Sequence, residues 1–588
     1  MAGRIEGQRR RWRPTRRQLA SVLLVLVLWL IGCGITVFKA VADGRDGVAA
    51  ARTAKGMISA ADLVDGRALV PLSRAEDHFE KARRSLDRPH MAPLKVIPLL
   101  GRQIRSASAL AGAAAEVSVA GRGAVSGAGA ALSGPRATGP QRVALLRKLE
   151  VAAGGAARAL AGVELGPRKG LLGPLAKRRA EIAEDLSAAR EATAKARTVT
   201  GGLAGLLQGP HRYLVFGANN AEMRAGSGTF LTVGTLSAAN GEMSLEGFTP
   251  SGLIGLDAGA APPIEDRDFA ARWGFLQPNR NWHNLGVSPR FPASAALGSA
   301  MWKARGGAVT DGVVALDPVA LKALLGAIGP VPVGPRTVSS QTVVDLLLHD
   351  QYVGVGSDAG PEQAARRELL GLVAQATLTG VQRGGTDVAA LAGALGGVAA
   401  GRHILAWAPD PATQRLWGTA GVDGTLGPRS LALSMINQGA NKLDPFLEVS
   451  SRLVFHRRRN TTEVELRVDL RNRTPEGQSG YVFGDARASG LRPGDYLGLL
   501  SVNLPGAAEM IEVEGAPALA AEGRDGPTVV RAWQVRVDKG AAVSHVVRFE
   551  LPGRHGRIQV EASARIPGVR WKAGGSSWES GAKREITW

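Results

Sequence analysis

Apolar and polar residues alternate with three different rhythms along this chain. Residues 19–38 read LASVLLVLVLWLIGCGITVF, with no charged side chain. About 20 such residues span the hydrocarbon layer as a helix, so the pattern predicts a transmembrane helix over 19–40. Residues 44–205 carry a helical period. Ala75, Phe79, Ala82 and Leu86 form one stripe, and Ile182, Leu186 and Ala189 another. Ser73-x-x-Glu76 reads as a capping box with Leu72 as its staple. Gly134, Gly139, Gly166 and Gly170 read as helix breaks. This region is expected to be a helical stalk or bundle.

Beyond His211 the rhythm changes. Arg212–Phe216 reads as a strand, and Asn240-Gly241 between two apolar runs predicts a hairpin. Gly312–Leu316 is a short apolar strand. Asp317 then suits an N-cap, Pro318 the first helical position, and Gly329-Pro330 a stop. Residues 341–348 and 362–378 are expected to be helical. Strands alternating with helices predict an α/β domain over 210–410. From about 441 to 588 the period is two. Val464, Leu466, Val468 and Leu470 alternate with charged residues, and Trp533, Val535 and Val537 do the same. That pattern predicts a C-terminal β-sandwich.

Charge adds a direction. Arg4, Arg9, Arg10, Arg11, Arg13, Arg16 and Arg17 precede the apolar run against Glu6 alone, so residues 1–18 hold +6 of the chain's +21. The positive-inside rule makes this a basic cytoplasmic tail, with the bulk extracytoplasmic behind a single-pass signal anchor in the cell membrane. A cleaved signal peptide shares the pattern. Leu30-Ile31-Gly32-Cys33 also fits a lipobox, which would make the chain a lipoprotein at Cys33. Cys33 is the only cysteine, which excludes an intrachain disulfide. A basic exterior favours anionic surroundings such as lipid head groups or cell-wall polymers. Nucleic acid is not expected, because the bases are scattered and no zinc or RNA-binding signature is present.

Candidate chemistry is sparse. There is no Walker A loop, HExxH, CxxC or GxSxG elbow, and neither a metal nor another cofactor is expected from motifs. His283, His349 and His403 read as local hydrogen-bonding residues. Asn460-Thr-Thr462 matches a glycosylation acceptor, a short motif of no weight by itself. The stretch Asn219-Asn220-Ala-Glu-Met-Arg224-Ala-Gly-Ser-Gly-Thr229 joins two predicted strands. It could offer backbone N–H groups and a guanidinium to a phosphate; the alternative is a tight connection with Arg224 paired to a carboxylate. Arg366 and Arg367, after Asp358-Ala-Gly, are a second basic point or a solvated helix face.

Ile97-Pro-Leu-Leu-Gly-Arg-Gln-Ile104, Arg212-Tyr-Leu-Val-Phe-Gly-Ala-Asn-Asn-Ala-Glu-Met-Arg224, Val314-Ala-Leu-Asp-Pro318 and Asn441-Lys-Leu-Asp444 resemble the signatures of an uncharacterised bacterial family. It is chiefly actinobacterial and known as domain of unknown function 4012. Residues 211–380 also resemble a diverged LytR–CpsA–Psr domain, a family that attaches polyprenyl-pyrophosphate-linked glycopolymers to the cell wall, usually with Mg²⁺. Gly226, Ser227 and Gly228 stand where that family has an acidic metal ligand, and Thr249-Pro250-Ser251 where it has an Arg-Asp pair. The expected fold is therefore multidomain α+β: transmembrane helix, helical stalk, LytR–CpsA–Psr-like α/β domain and β-sandwich. The expected role is cell-envelope binding of an anionic lipid-linked glycan, or help in polymer assembly, through Asn219, Asn220, Arg224, Arg366 and Arg367. The alternatives are an active glycopolymer transferase, the one case needing Mg²⁺, and a structural or protein-interaction module.

Overall fold

The computed structural model describes residues 16–57, 60–133, 138–255, 260–353, 361–383, 388–484 and 490–588. Arg4, Arg9, Arg10, Arg11, Arg13 and Glu6 of the basic tail lie outside these residues, as do Gly134 and Asp358-Ala-Gly. The chain is multidomain α+β, with an apolar N-terminal helix, a helical first third and a strand-rich remainder. It divides into two compact units, residues 1–133 with 148–197, and residues 134–147 with 198–588.

In the first unit α1 (Arg16–Lys55) is one unbroken helix, and among the described residues it alone is long and apolar enough to cross a membrane. α2 (Leu69–Leu86) runs antiparallel to it: His78 faces Asp43, and the chain beyond α2 returns to Trp29. α3 (Pro98–Leu132) runs back along α2, with Arg122 paired to Glu76 and Ser108 donating to Asp87. The glycine-rich stretch after Ala109 is weak in helix propensity, yet it is continuous within α3, because packing on α2 supplies the stability. α4 (Pro140–Ala161) and α5 (Gly173–Gln208) follow. Gly139, Gly166 and Gly170 lie between helices with positive φ, as expected of breaks.

The capping box is corrected. α2 starts at Leu69, so Ser73 and Glu76 lie inside it, and Ala68 at its N-cap makes no side-chain bond. The buried stripe begins earlier than the box would allow, with Ala68 joining Ala75, Phe79, Ala82 and Leu86. Burial of that stripe decides where the helix begins, and a local cap does not.

The second unit opens with a five-stranded sheet. β1 (His211–Met223), β2 (Gly228–Ala239), β3 (Glu242–Pro250), β4 (Gly312–Leu316) and β5 (Ile404–Trp407) lie in the order β3-β2-β1-β4-β5. β1 and β4 are parallel, and the other pairs are antiparallel. The β2–β3 hairpin turns on Asn240 and Gly241, both at positive φ. A Cβ on Gly241 would lie 1.9 Å from the Gly139 carbonyl oxygen, so only glycine fits. α6 (Phe291–Ala304), α7 (Pro318–Ile328) and α8 (Pro361–Gln382) accompany the sheet. Asp317 caps α7 by accepting from Val319 N (2.9 Å) and Ala320 N (3.1 Å), and Gly329 ends it at φ +85°.

Residues 430–588 build two six-stranded sheets. One orders Glu509–Glu514, Ala542–Pro552, Thr461–Asn472, Leu447–Arg457, Arg570–Ala573 and Ser576–Glu579. The other orders Leu519–Asp525, Thr528–Val537, Tyr496–Pro505, Ser430–Asn437, Arg557–Val560 and Arg584–Thr587. Val464, Leu466, Val468, Leu470, Val547 and Phe549 from the first meet Leu500, Val502, Trp533, Val535, Ile558 and Val560 from the second in one core. The second sheet is apolar on its other face too. Ile436, Leu499, Val530 and Ala532 belong to the cluster of Leu214, Phe216, Phe230, Trp282 and Phe291. Residues 210–410 and 441–588, set apart by pattern, lie in one compact unit.

Candidate functional site

β4 ends against Gly217 while parallel β1 runs on to Met223, and open α/β sheets bind ligands outside the carboxyl ends of their strands. Asn219, Asn220 and Asp317 stand there. The β1–β2 ladder shifts register between Gly217 and Ala218, continues to Asn219↔Thr229, then resumes only at Met223↔Gly228, so residues 220–222 bulge out of the sheet. Asn219 Nδ2 donates to the Tyr352 hydroxyl (2.8 Å) and its Oδ1 accepts from Ala221 N (2.9 Å). Asn220 Nδ2 donates to Asp317 Oδ2 (2.9 Å) and to the Ala564 carbonyl (2.7 Å). Asp317 Oδ2 also lies 2.7 Å from His403 Nδ1, so this histidine is a local hydrogen-bonding residue. His349 likewise meets Asp350 (3.0 Å).

The bulge turns Glu222 inward. Its carboxylate meets Lys442 Nζ and accepts from Arg224 Nη2 (3.1 Å). Burial works against the charged form, but Lys442 and then Arg224 outweigh it and hold the Glu222 pKa down to about 2. Burial likewise penalises the Lys442 ammonium, and Glu222 still keeps its pKa above the ordinary value. Arg224 is buried and engaged on every side but Nε. Nη1 donates to the carbonyls of Met223 (3.0 Å) and Asn437 (3.1 Å), and Nη2 also reaches Asn284 Oδ1 (3.4 Å).

Three backbone donors of this stretch are engaged as well. Arg224 N donates to Ser227 O (2.9 Å), Gly226 N to Gly286 O (3.1 Å) and Met223 N to Asp444 Oδ2 (2.9 Å). Gly228 is glycine for a packing reason, since a Cβ there would lie 2.3 Å from the Asn219 carbonyl. Of the two sequence readings, the tight connection with Arg224 paired to a carboxylate describes this stretch. The first five residues, Asn219–Met223, are strand rather than loop.

Asp444 ties β1 to the sandwich. Its Oδ1 accepts from Tyr496 OH (3.1 Å) and Arg565 Nη1 (2.7 Å), and its Oδ2 from Asn437 Nδ2 (2.9 Å). Asn437 Nδ2 also donates to Asn441 Oδ1 (2.9 Å).

Arg366 differs from all of these. It is 8% exposed. Its guanidinium lies 3.7 Å from the centroid of the Tyr481 ring and 5.4 Å from that of Tyr352, and the two rings stack at 5.3 Å. Among the described residues, neither Nη1 nor Nη2 has a hydrogen-bond partner. Burial raises the Tyr352 pKa, while Lys442 and Arg366 both favour its ionised form. The structure thus joins Asn219, Arg366 and the Glu222–Lys442 pair through Tyr352, and Glu222 links that pair to Arg224. Asn220 belongs to the neighbouring Asp317 cluster. Arg367 is on α8, but its side chain lies outside the described residues.

Sequence reasoning missed Glu222, Lys442, Asp444, Tyr352 and Tyr481. The first three stand inside the signature stretches, where their clustering was the available signal; the tyrosines had none. Among the described residues, no group of three His, Cys, Asp or Glu is placed to hold a metal. The Mg²⁺ implied by the LytR–CpsA–Psr resemblance does not fit the residues present. Gly226, Ser227 and Gly228 offer no carboxylate, Glu222 is neutralised by Lys442, and Asp317 is occupied by α7, Asn220 and His403.

Residues 208–352 match the model of a family described as Protein of unknown function (DUF4012), so this part of the chain is similar to that family. No curated protein and no solved structure matches the chain.

Proposed function

We propose that the chain is an envelope protein, anchored in the cytoplasmic membrane by α1 with its bulk outside, that binds the phosphate of an anionic lipid-linked glycan at Arg366. The observation that carries this reading is the pair of unpartnered guanidinium nitrogens on Arg366, buried against Tyr481 and Tyr352. Buried donors without acceptors cost about 1–3 kcal/mol and more for charged groups. An incoming phosphate supplies two acceptor oxygens in the geometry a guanidinium fork prefers. Lys442 adds positive potential at the tyrosine pair, although Glu222 balances its charge.

The resemblance of residues 211–380 to LytR–CpsA–Psr domains, read from the sequence, supports a site of this ligand class. The residues favour binding over transfer, because cationic help for a pyrophosphate leaving group has no carboxylate-held metal to draw on. Arg224 enters as a positioning residue, since its guanidinium is engaged by Glu222 and two carbonyls.

The test compares polyprenyl phosphate with the uncharged polyprenol on the full chain in nanodiscs. Wild type is expected to prefer the phosphate. Arg366→Ala should weaken that preference by roughly tenfold or more, the worth of a charge-assisted hydrogen bond. Arg366→Lys should recover part of it. Equal binding of both lipids by wild type, or an unchanged preference in Arg366→Ala, would sink the proposal.

A further inference from the structure

Between α2 and α3 the chain makes a tight hairpin whose tip carries no exposed charge. Val96 is 82% and Leu99 74% exposed, and Ile97 and Leu100 beside them are also open to solvent. Four large apolar side chains at one helical corner form a patch that water does not favour. The tip stands beside the apolar part of α1. Trp29 Nε1 donates to the His90 carbonyl (2.9 Å), Thr36 Oγ1 lies 2.9 Å from His90 Nε2, and Cys33 shares a buried cluster with Met91, Leu94 and Ile104. The outward faces of α1 at the same level are Leu28, Ile31, Ile35 and Phe38, all exposed.

We infer that residues 94–100 are a second membrane contact, inserted among the acyl chains of the leaflet that surrounds the C-terminal half of α1's apolar stretch. This rests on the reading that α1 spans the bilayer. From Phe38 back to Trp29 a helix rises roughly 14 Å, about half of a hydrocarbon layer, so the hairpin reaches into one leaflet and no further.

Backbone in hydrocarbon must satisfy its own polar groups, and several at this tip are paired or absent. Ile97 N donates to Leu94 O (3.3 Å) and Gly101 N to Ile97 O (2.7 Å), while Pro93 and Pro98 have no N–H. Arg105 covers the Lys95 carbonyl. Lys95, the one charged residue of the segment, turns its ammonium back to Asp87 (2.7 Å), away from the apolar end. Arg88, Arg102 and Arg105 are exposed just behind the tip, where anionic head groups would meet them.

The full chain with Cys33→Ala is reconstituted in phosphatidylethanolamine–phosphatidylglycerol vesicles. An environment-sensitive fluorophore is placed on Leu99→Cys, on Leu28→Cys in α1, or on Val151→Cys in α4. Nitroxide-bearing lipids are the quencher. The Leu99 probe is expected to shift to the blue and to be quenched as strongly as the Leu28 probe, with the Val151 probe unaffected. If Leu28 is quenched and Leu99 behaves like Val151, the hairpin contact is overturned and the anchor stands. A second copy of the chain covering the tip would give that same result. If neither Leu28 nor Leu99 is quenched, the spanning helix itself is refuted and the hairpin contact falls with it.

Discussion

Glu222 sits between two cations with its side chain only 12% exposed, and its low pKa makes it a pH-dependent bolt. A carboxyl held near 2 in the folded chain, against an ordinary 4.5, stabilises the fold fully above about pH 4.5. That contribution is lost as pH falls through 2. At about 1.4 kcal/mol per pH unit the effect is a few kcal/mol. Urea titrations at pH 6 and pH 3 should show wild type losing more stability between them than Glu222→Gln, which is the weaker protein at pH 6 because Lys442 is left unpaired. Parallel losses would refute this account. Single residues were unevenly legible in advance. Arg224 and Arg366 stood out as arginines near glycines, but no local pattern separates an arginine that is fully engaged from one that is not. Only the fold brings Tyr481 against Arg366, 115 positions away in the chain.

Elements were more legible than residues wherever local chemistry sets their ends. The Asn240-Gly241 hairpin, Gly312–Leu316 and the Asp317-Pro318 start of α7 fall where turn and capping preferences place them. The cap at Asp317 also does more than start a helix, since its second oxygen meets Asn220 and His403. Asp317→Ala should therefore cost about 2–4 kcal/mol, more than a cap alone, because buried partners are left unsatisfied. Asp317→Ser should restore the cap and recover only part of the loss. Thermal unfolding of both variants decides this, and an Asp317→Ser variant as stable as wild type would show that the cap is all that matters. Two elements were misread. α2 starts where its buried stripe starts, and the strand Ser430–Asn437 was missed because it is buried along its whole length and shows no alternation.

For the whole molecule, hydrophobic pattern separated helical, mixed and strand-rich stretches, but it could not reveal that one sheet is apolar on both faces. Ile436, Leu499, Val530 and Ala532 cover the cluster around Phe216 and Phe230, and the opposite side of the same strands fills the sandwich. A chain stopped after Asp423 is expected to bind hydrophobic dyes and to melt without a cooperative transition. A sharp, native-like melt of that shortened chain would show that the α/β layer needs no cover.

This doubly apolar sheet also sets a timetable. Its strands, from Ser430 onward, are synthesised after the first layer, so that layer must wait, greasy side bare, until they arrive. Chains caught in that interval are the ones prone to clump. High-level synthesis of this protein therefore calls for a chaperone that shields the bare face, and a stop codon late in the gene would do as much harm as an early one.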